Sequence, residues 1–295
     1  MGSVSVPQAT NICLSADRWA NIAYYRILRL TPNHAPRILY VKHDAMETFI
    51  MPKAPSWPSH LERLCSIPDF HKQDWTTMTL DESWIWPWGY TLHVDQFEAH
   101  CIPPEFLCSS LPKVNLVEFL PVESMMGDAA LPRGRVFRAQ YRGVSVVLKV
   151  ANFAYQVRKM KAECDAYRVL LRNGCTAAPR LLGYVFEEVE ARVVGVILED
   201  VTGRRAKWRD LDACLAALGQ IHQCKILHNR LNPEDILVTG GGVKFLDFGS
   251  SSFEYSPVEG WKQKTASEAN LLGYIMARSG SGKKGVAEDD MEMEL

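Results

Sequence analysis

The sequence predicts an α+β fold in which a small β-rich module precedes a larger mixed region. Three observations predict it. Residues 1–112 hold short β-branched and aromatic runs cut apart by prolines at Pro52, Pro55, Pro58, Pro68, Pro87, Pro103 and Pro104. Beyond that point, strand-like and helix-like segments follow each other in a regular order. Finally, Ile226–Gly249 reads as a loop, a short strand, a glycine turn at Gly240-Gly241-Gly242, a second strand and then Asp247-Phe248-Gly249.

Bulk properties narrow the class. With 295 residues the chain has room for one large or two modest domains, and its 47% apolar content is enough to build a core. A formal net charge of -1 gives no global reason to expect nucleic acid or an anionic membrane as partner. The eight cysteines form no CxxC pair, which suits a reducing compartment. Met1-Gly2-Ser3-Val4-Ser5-Val6 misses a myristoylation signal at Val6, where Ser or Thr is wanted. No run approaches the ~18 apolar residues of a membrane span. The expected location is cytoplasmic, with the nucleus compatible.

In the leading module, Arg37–Val41, Glu47–Met51, Trp75–Leu80 and Tyr90–Val94 are strand candidates. Trp84, Trp86 and Trp88 alternate, so a strand would place them on one face, more often a core face than a stacking platform. His100, Cys101 and Cys108 match no structural zinc spacing.

From Lys113 the pattern changes. Gly134–Ala139 and Val144–Val150 predict a hairpin, the second strand nearly all apolar except for Lys149. A buried ammonium needs a partner. Tyr155–Arg172 carries Val157, Met160, Cys164, Tyr167 and Leu171 on one helical stripe, with Glu163 beside it. The alternative for Glu163 is a solvent-facing side chain among Arg158, Lys159 and Lys161. Pro179–Val185 and Ala191–Leu198 predict two more strands, Leu211–Cys224 a helix, and Ala266–Ala277 a last helix. From Ser279 the tail is Gly/Ser-rich and then acidic, which predicts disorder over 279–295.

Lysine strand, helix glutamate, the segment Glu199-Asp200-Val201, the loop His228-Asn229-Arg230-Leu231-Asn232-Pro233 and Asp247-Phe248-Gly249 occur in one order. That order resembles the protein-kinase-like superfamily, and in style the short kinase-like proteins of filamentous fungi. The resemblance implies a two-lobed fold over 113–278, with an N-lobe at 113–198 and a truncated C-lobe at 199–278. It implies a nucleotide site made of Gly134, Val136, Lys149, Glu163, Leu198, Glu199 and Val201, with Lys149 gripping phosphates and pairing with Glu163. Asp235 and Asp247 would hold metal, and the cofactors would be ATP and Mg²⁺. His228 would anchor the catalytic loop.

Four departures shape the expected function. Arg230 stands where that family places the catalytic aspartate, and a guanidinium has no acceptor and stays protonated, so it cannot serve as a base. Asp235 replaces an asparagine, a milder change because the ligand is still oxygen. Gly134 stands alone in the glycine loop, with Ala129 and Leu131 where glycines are wanted and Gly127 nearby. No Ala-Pro-Glu follows Gly249, Pro257-Val258-Glu259 being a poor echo, and the family's later helices have no room before the tail. The expectation is a pseudokinase, a regulatory or scaffolding module with an unidentified protein partner. The alternative is an active atypical phosphotransferase using ATP on a protein or small molecule, with Glu234 or Asp235 as substitute base. A third arrangement has Arg230 paired with Asp247 or Asp235, filling the metal site.

Overall fold

The computed structural model describes residues 9–19, 22–32, 34–44, 65, 70, 75–83, 89–120, 134–253 and 258–280. Glu47–Met51, the three alternating tryptophans, Gly127, Ala129, Leu131, Pro257 and the tail beyond 280 lie outside the described residues. The architecture is mixed α+β, with several small sheets and few helices. The described residues divide between two compact units. One is drawn from Met1–Pro104, Ser110–Arg158 and Gly183–Ile197, the other from Glu105–Ser109, Lys159–Leu182 and Leu198–Leu295. The expected boundary at 112 falls inside the first.

The first unit holds a five-stranded sheet built from β1 (Thr10–Trp19), β2 (Ile22–Leu30), β3 (Arg37–Asp44), β4 (Thr77–Ser83) and β5 (Gly89–Val94). Neighbours run antiparallel except β3 and β4, which are parallel. On one face Ala23, Tyr25 and Ile27 alternate along β2. They pack with Leu39, Val41, Phe70, Trp75, Met78 and Leu80, the period of two that a pleated strand imposes. The guanidinium of Arg29, itself buried, lies 5.0 Å from the ring centroids of both Phe70 and Trp75 and donates to the Phe70 carbonyl at 2.6 Å. Burial pushes the Arg29 pKa down to about 10.

A second five-stranded sheet uses β6 (Lys113–Asn115), β7 (Val136–Tyr141), β8 (Val144–Val150), β9 (Leu181–Phe186) and β10 (Val193–Glu199), in the order β6-β9-β10-β8-β7. β7 and β8 are joined by the two-residue turn Arg142-Gly143, with φ of 51° and 78°. Both values are positive, as the tight turn that matches strand twist requires, and Gly143 adopts its φ at no steric cost. β10 is the central strand, and six of its seven residues are buried. At Gly195 a Cβ would lie 2.3 Å from the Lys149 carbonyl oxygen, so only glycine lets the two backbones approach this closely.

The second unit contains most of α1 (Val157–Arg172), then β11 (Arg204–Arg205), α2 (Leu211–Gln223), β12 (Ile226–Leu227), β13 (Ile236–Thr239), β14 (Gly242–Phe245), β15 (Ser252–Phe253) and α3 (Val258–Gly280). α3 starts eight residues before the expected Ala266. Its buried side chains include Trp261, Glu268, Leu272 and Met276, whereas Leu271 is 45% exposed. Spacings of seven, four and four trace one face of the helix, and a carboxylate occupies it. None of the described helices is long and apolar enough to cross a membrane.

Candidate functional site

The site expected on the second unit begins where β12 ends. Ile226 and Leu227 are buried and pair with Phe253 and Ser252 of β15, so the chain leaves the interior at His228 in a fixed direction. His228 itself is 1% exposed. Its Nε2 lies 2.8 Å from the carbonyl oxygen of Leu246, and because a carbonyl only accepts, Nε2 carries the proton. Burial lowers the His228 pKa against the opposing pull of Glu268, Asp247 and Asp235. Burial favours the neutral ring, whose hydrogen bond ties the loop to the Leu246 carbonyl.

His228 packs 4.9 Å from Phe248, centroid to centroid, and Phe248 meets Tyr167 edge-on at 5.3 Å. Three rings thus run from the loop, through Asp247-Phe248-Gly249, to α1. Tyr167 is fully buried, and its phenol is raised well above its usual range by burial first and then by Glu163 and Asp247. Glu163 is 1% exposed, so it faces inward and not toward solvent. A Cβ on Gly249 would stand 3.5 Å from Lys159 Cβ and from the Lys159 carbonyl oxygen, which sets this segment against the first turns of α1.

The loop beyond His228 closes on itself. The Asn232 side chain accepts from the Glu234 amide at 3.1 Å, with Pro233 at the first position of a short 3₁₀ turn. The Asp235 carbonyl accepts from the Leu246 amide at 2.8 Å, tying the loop to the strand that delivers Asp247. β13 and β14 supply the hairpin between them, in register from Ile236↔Phe245 to Thr239↔Gly242. Asp247 sits in the left-handed region at φ 59° and ψ 70°, a backbone conformation uncommon for a residue other than glycine.

Arg230 is the decisive neighbour. Its side chain is 63% exposed, and Nη1 stands 3.8 Å from Oδ2 of Asp247, whose side chain is 32% exposed. That is ion-pair range and too long for a hydrogen bond. Glu234, one of the two carboxylates weighed as a substitute base, is paired with Arg205 at the surface. The described residues contain no cluster of three or more His, Cys, Asp and Glu side chains arranged to hold a metal.

The residue that sequence reasoning missed is Glu268 on α3. Its Oε2 accepts from His222 Nε2 at 2.7 Å and from the His228 amide at 3.3 Å, and its Oε1 accepts from the Asn229 amide at 2.6 Å. Burial alone would raise its pKa, but these donors override it and hold the carboxyl low. Asn229 takes φ 61°, and its side-chain amide donates to the Ser250 carbonyl at 3.0 Å and Ser252 Oγ at 2.8 Å. Glu268 therefore fixes the backbone on which Arg230 is carried. The available signal was a carboxylate within an apolar stripe, which must find donors when buried.

At the expected hinge, Leu198 is 5% exposed and Val201 half-buried. The Glu199 amide donates to the Arg180 carbonyl at 2.9 Å, and its carboxylate accepts from the Arg180 amide at 3.1 Å and Lys244 Nζ at 3.2 Å. Burial would raise the Glu199 pKa, yet those donors hold it low. On the first unit, Lys149 is half-buried and pairs across the hairpin with Val136, which is 55% exposed, while Gly134 is exposed just ahead of β7. The His100 Nε2 donates to the Ala151 carbonyl at 2.7 Å.

Compared with known proteins, the sequence matches no protein-family model and no curated protein.

Proposed function

We propose that this chain has a two-lobed kinase-like fold with a shortened second lobe, and that it acts as a pseudokinase, a regulatory or scaffolding module and not an ordinary phosphotransferase. The observation that carries the proposal is Arg230 at the base position, with its guanidinium 3.8 Å from the Asp247 carboxylate. A positioned base contributes about 10²–10⁴-fold to such a reaction, and Arg230 can only donate. Further support comes from the ordered setting around it: the ring contacts of His228, Phe248 and Tyr167, and the grip of Glu268 on the loop backbone.

Asp235 and Asp247 are the residues that would hold magnesium. Two carboxylates are the usual protein share for a Mg²⁺ ion that arrives with nucleotide phosphates, so the donor set fits a metal–nucleotide pair and not a bare ion competing with Arg230. Such an ion would neutralise phosphate charge. Lys149 is the residue expected to bind phosphate, and Arg230 would meet phosphate charge as a cation.

Thermal unfolding with ATP, with and without Mg²⁺, tests this reading. The expected result is a rise in unfolding midpoint with both present, lost in Lys149→Ala. No shift, or a shift unchanged by that substitution, removes nucleotide binding from the proposal.

A further inference from the structure

Within the first unit, the segment Ala151–Gln156 joins the lysine strand β8 to α1, and side chains from the N-terminal sheet and the stretch after it converge on it. Ala151 is fully buried; its amide donates to the Val194 carbonyl at 2.8 Å and its carbonyl accepts from His100 Nε2 at 2.7 Å. Asn152 is 4% exposed and its side-chain oxygen accepts from Arg26 Nη1 at 3.1 Å. Tyr24 of β2 packs 5.9 Å from Phe153 and 6.3 Å from Tyr155, and the Tyr155 hydroxyl donates to Asp17 on β1.

Arg26 is the hub. The same guanidinium that holds Asn152 also donates from Nε to Glu187 at 2.9 Å, and from Nη2 to the same carboxylate. Glu187, in the turn between β9 and β10, is wholly buried, accepts from the Tyr40 hydroxyl and pairs with Arg192 Nη1 at 3.2 Å. A buried carboxylate held by two guanidiniums and a phenol is costly to assemble unless each partner is in place. One arginine from β2 therefore fixes both the strand–helix junction and the turn between β9 and β10.

We infer that the N-terminal sheet is a built-in positioning element for the junction that follows Lys149, with Arg26 and His100 as its positioning residues. A segment seated by four side chains from β1, β2 and the His100 loop cannot shift without disturbing that sheet. Whatever displaces the sheet is then felt at the end of the lysine strand and the start of α1. This inference does not depend on nucleotide binding, and its test reads backbone order directly.

Hydrogen exchange on the full chain supplies that test. In His100→Leu, the amides of Ala151, Asn152 and Gln156 are expected to exchange about tenfold or more faster, as loss of a buried hydrogen bond at a local opening site produces. The β4–β5 ladder is expected to keep its natural rates. His100→Gln, which retains an N–H donor, is expected to restore protection. A second variant, Arg26→Met, leaves Glu187 paired with Arg192 and is expected to give the same local loss. Unchanged rates at 151–156, uniform acceleration that includes β4–β5, or failure of the glutamine to restore protection would overturn the inference. No nucleotide shift beside a positive exchange result would remove nucleotide binding from the proposed function and leave this inference standing.

Discussion

Glu268 shows how much one side chain does for the loop. It satisfies two backbone donors that would otherwise be stranded where β12 runs into the loop, and it orients His222. Hydrogen bonds to a charged acceptor contribute about 1.5–3 kcal/mol each, so Glu268→Ala should lower stability by at least that amount. Glu268→Gln should cost less, because it keeps an acceptor for one amide; chemical denaturation of both variants checks the ordering. The same residues set the acid response. His228 and His100 have folded pKa values depressed chiefly by burial, so the unfolded chain binds protons more readily than the folded one. Their contribution is present above the ordinary histidine pKa of about 6.5 and is lost as pH falls below it. Glu268, also depressed, adds a second loss below about 4.3. Unfolding midpoints measured from pH 7.5 downward should therefore fall in two stages, and His228→Gln should flatten the first.

At the scale of elements, the helix that ends the described chain separates what the sequence carried from what it hid. Apolar spacing marked a helix at Ala266–Ala277, but the helix is Val258–Gly280 and turns Leu272 inward and Leu271 outward. The first half was obscured because Lys262, Gln263 and Lys264 dominate it, and because its inward residue at 268 is charged. Leu272→Ala should cost about 2–5 kcal/mol, whereas Leu271→Ala should stay within about 0.5 kcal/mol. Equilibrium unfolding of the pair decides the facing. β1 and β2 escaped notice for a similar reason: Arg26 and Arg29 interrupt the apolar run of Ile22–Leu30, and both are buried with partners that lie far away in sequence. The β7–β8 and β13–β14 hairpins were legible because turn residues and apolar runs agree locally.

For the whole molecule, the motifs were readable as an order of residues, while the supports behind them were not. Lys149, Glu163, His228 and Asp247 lie on the strand, helix, loop and post-strand turn that the sequence indicated. The Arg26–Glu187 pair and the Glu268 anchor join residues 39 or more positions apart, and no local pattern encodes such pairings. The acidic tail and the glycine-loop positions before Gly134 fall outside the described residues. The proposed function rests on Arg230 beside Asp247. Its most direct test is ATP turnover by the natural chain against Arg230→Asp, both at matched stability. No turnover above background is expected from the natural chain. Turnover by the natural chain that disappears in both Arg230→Asp and Lys149→Ala would contradict it, because Arg230 would then be a working part of a catalyst.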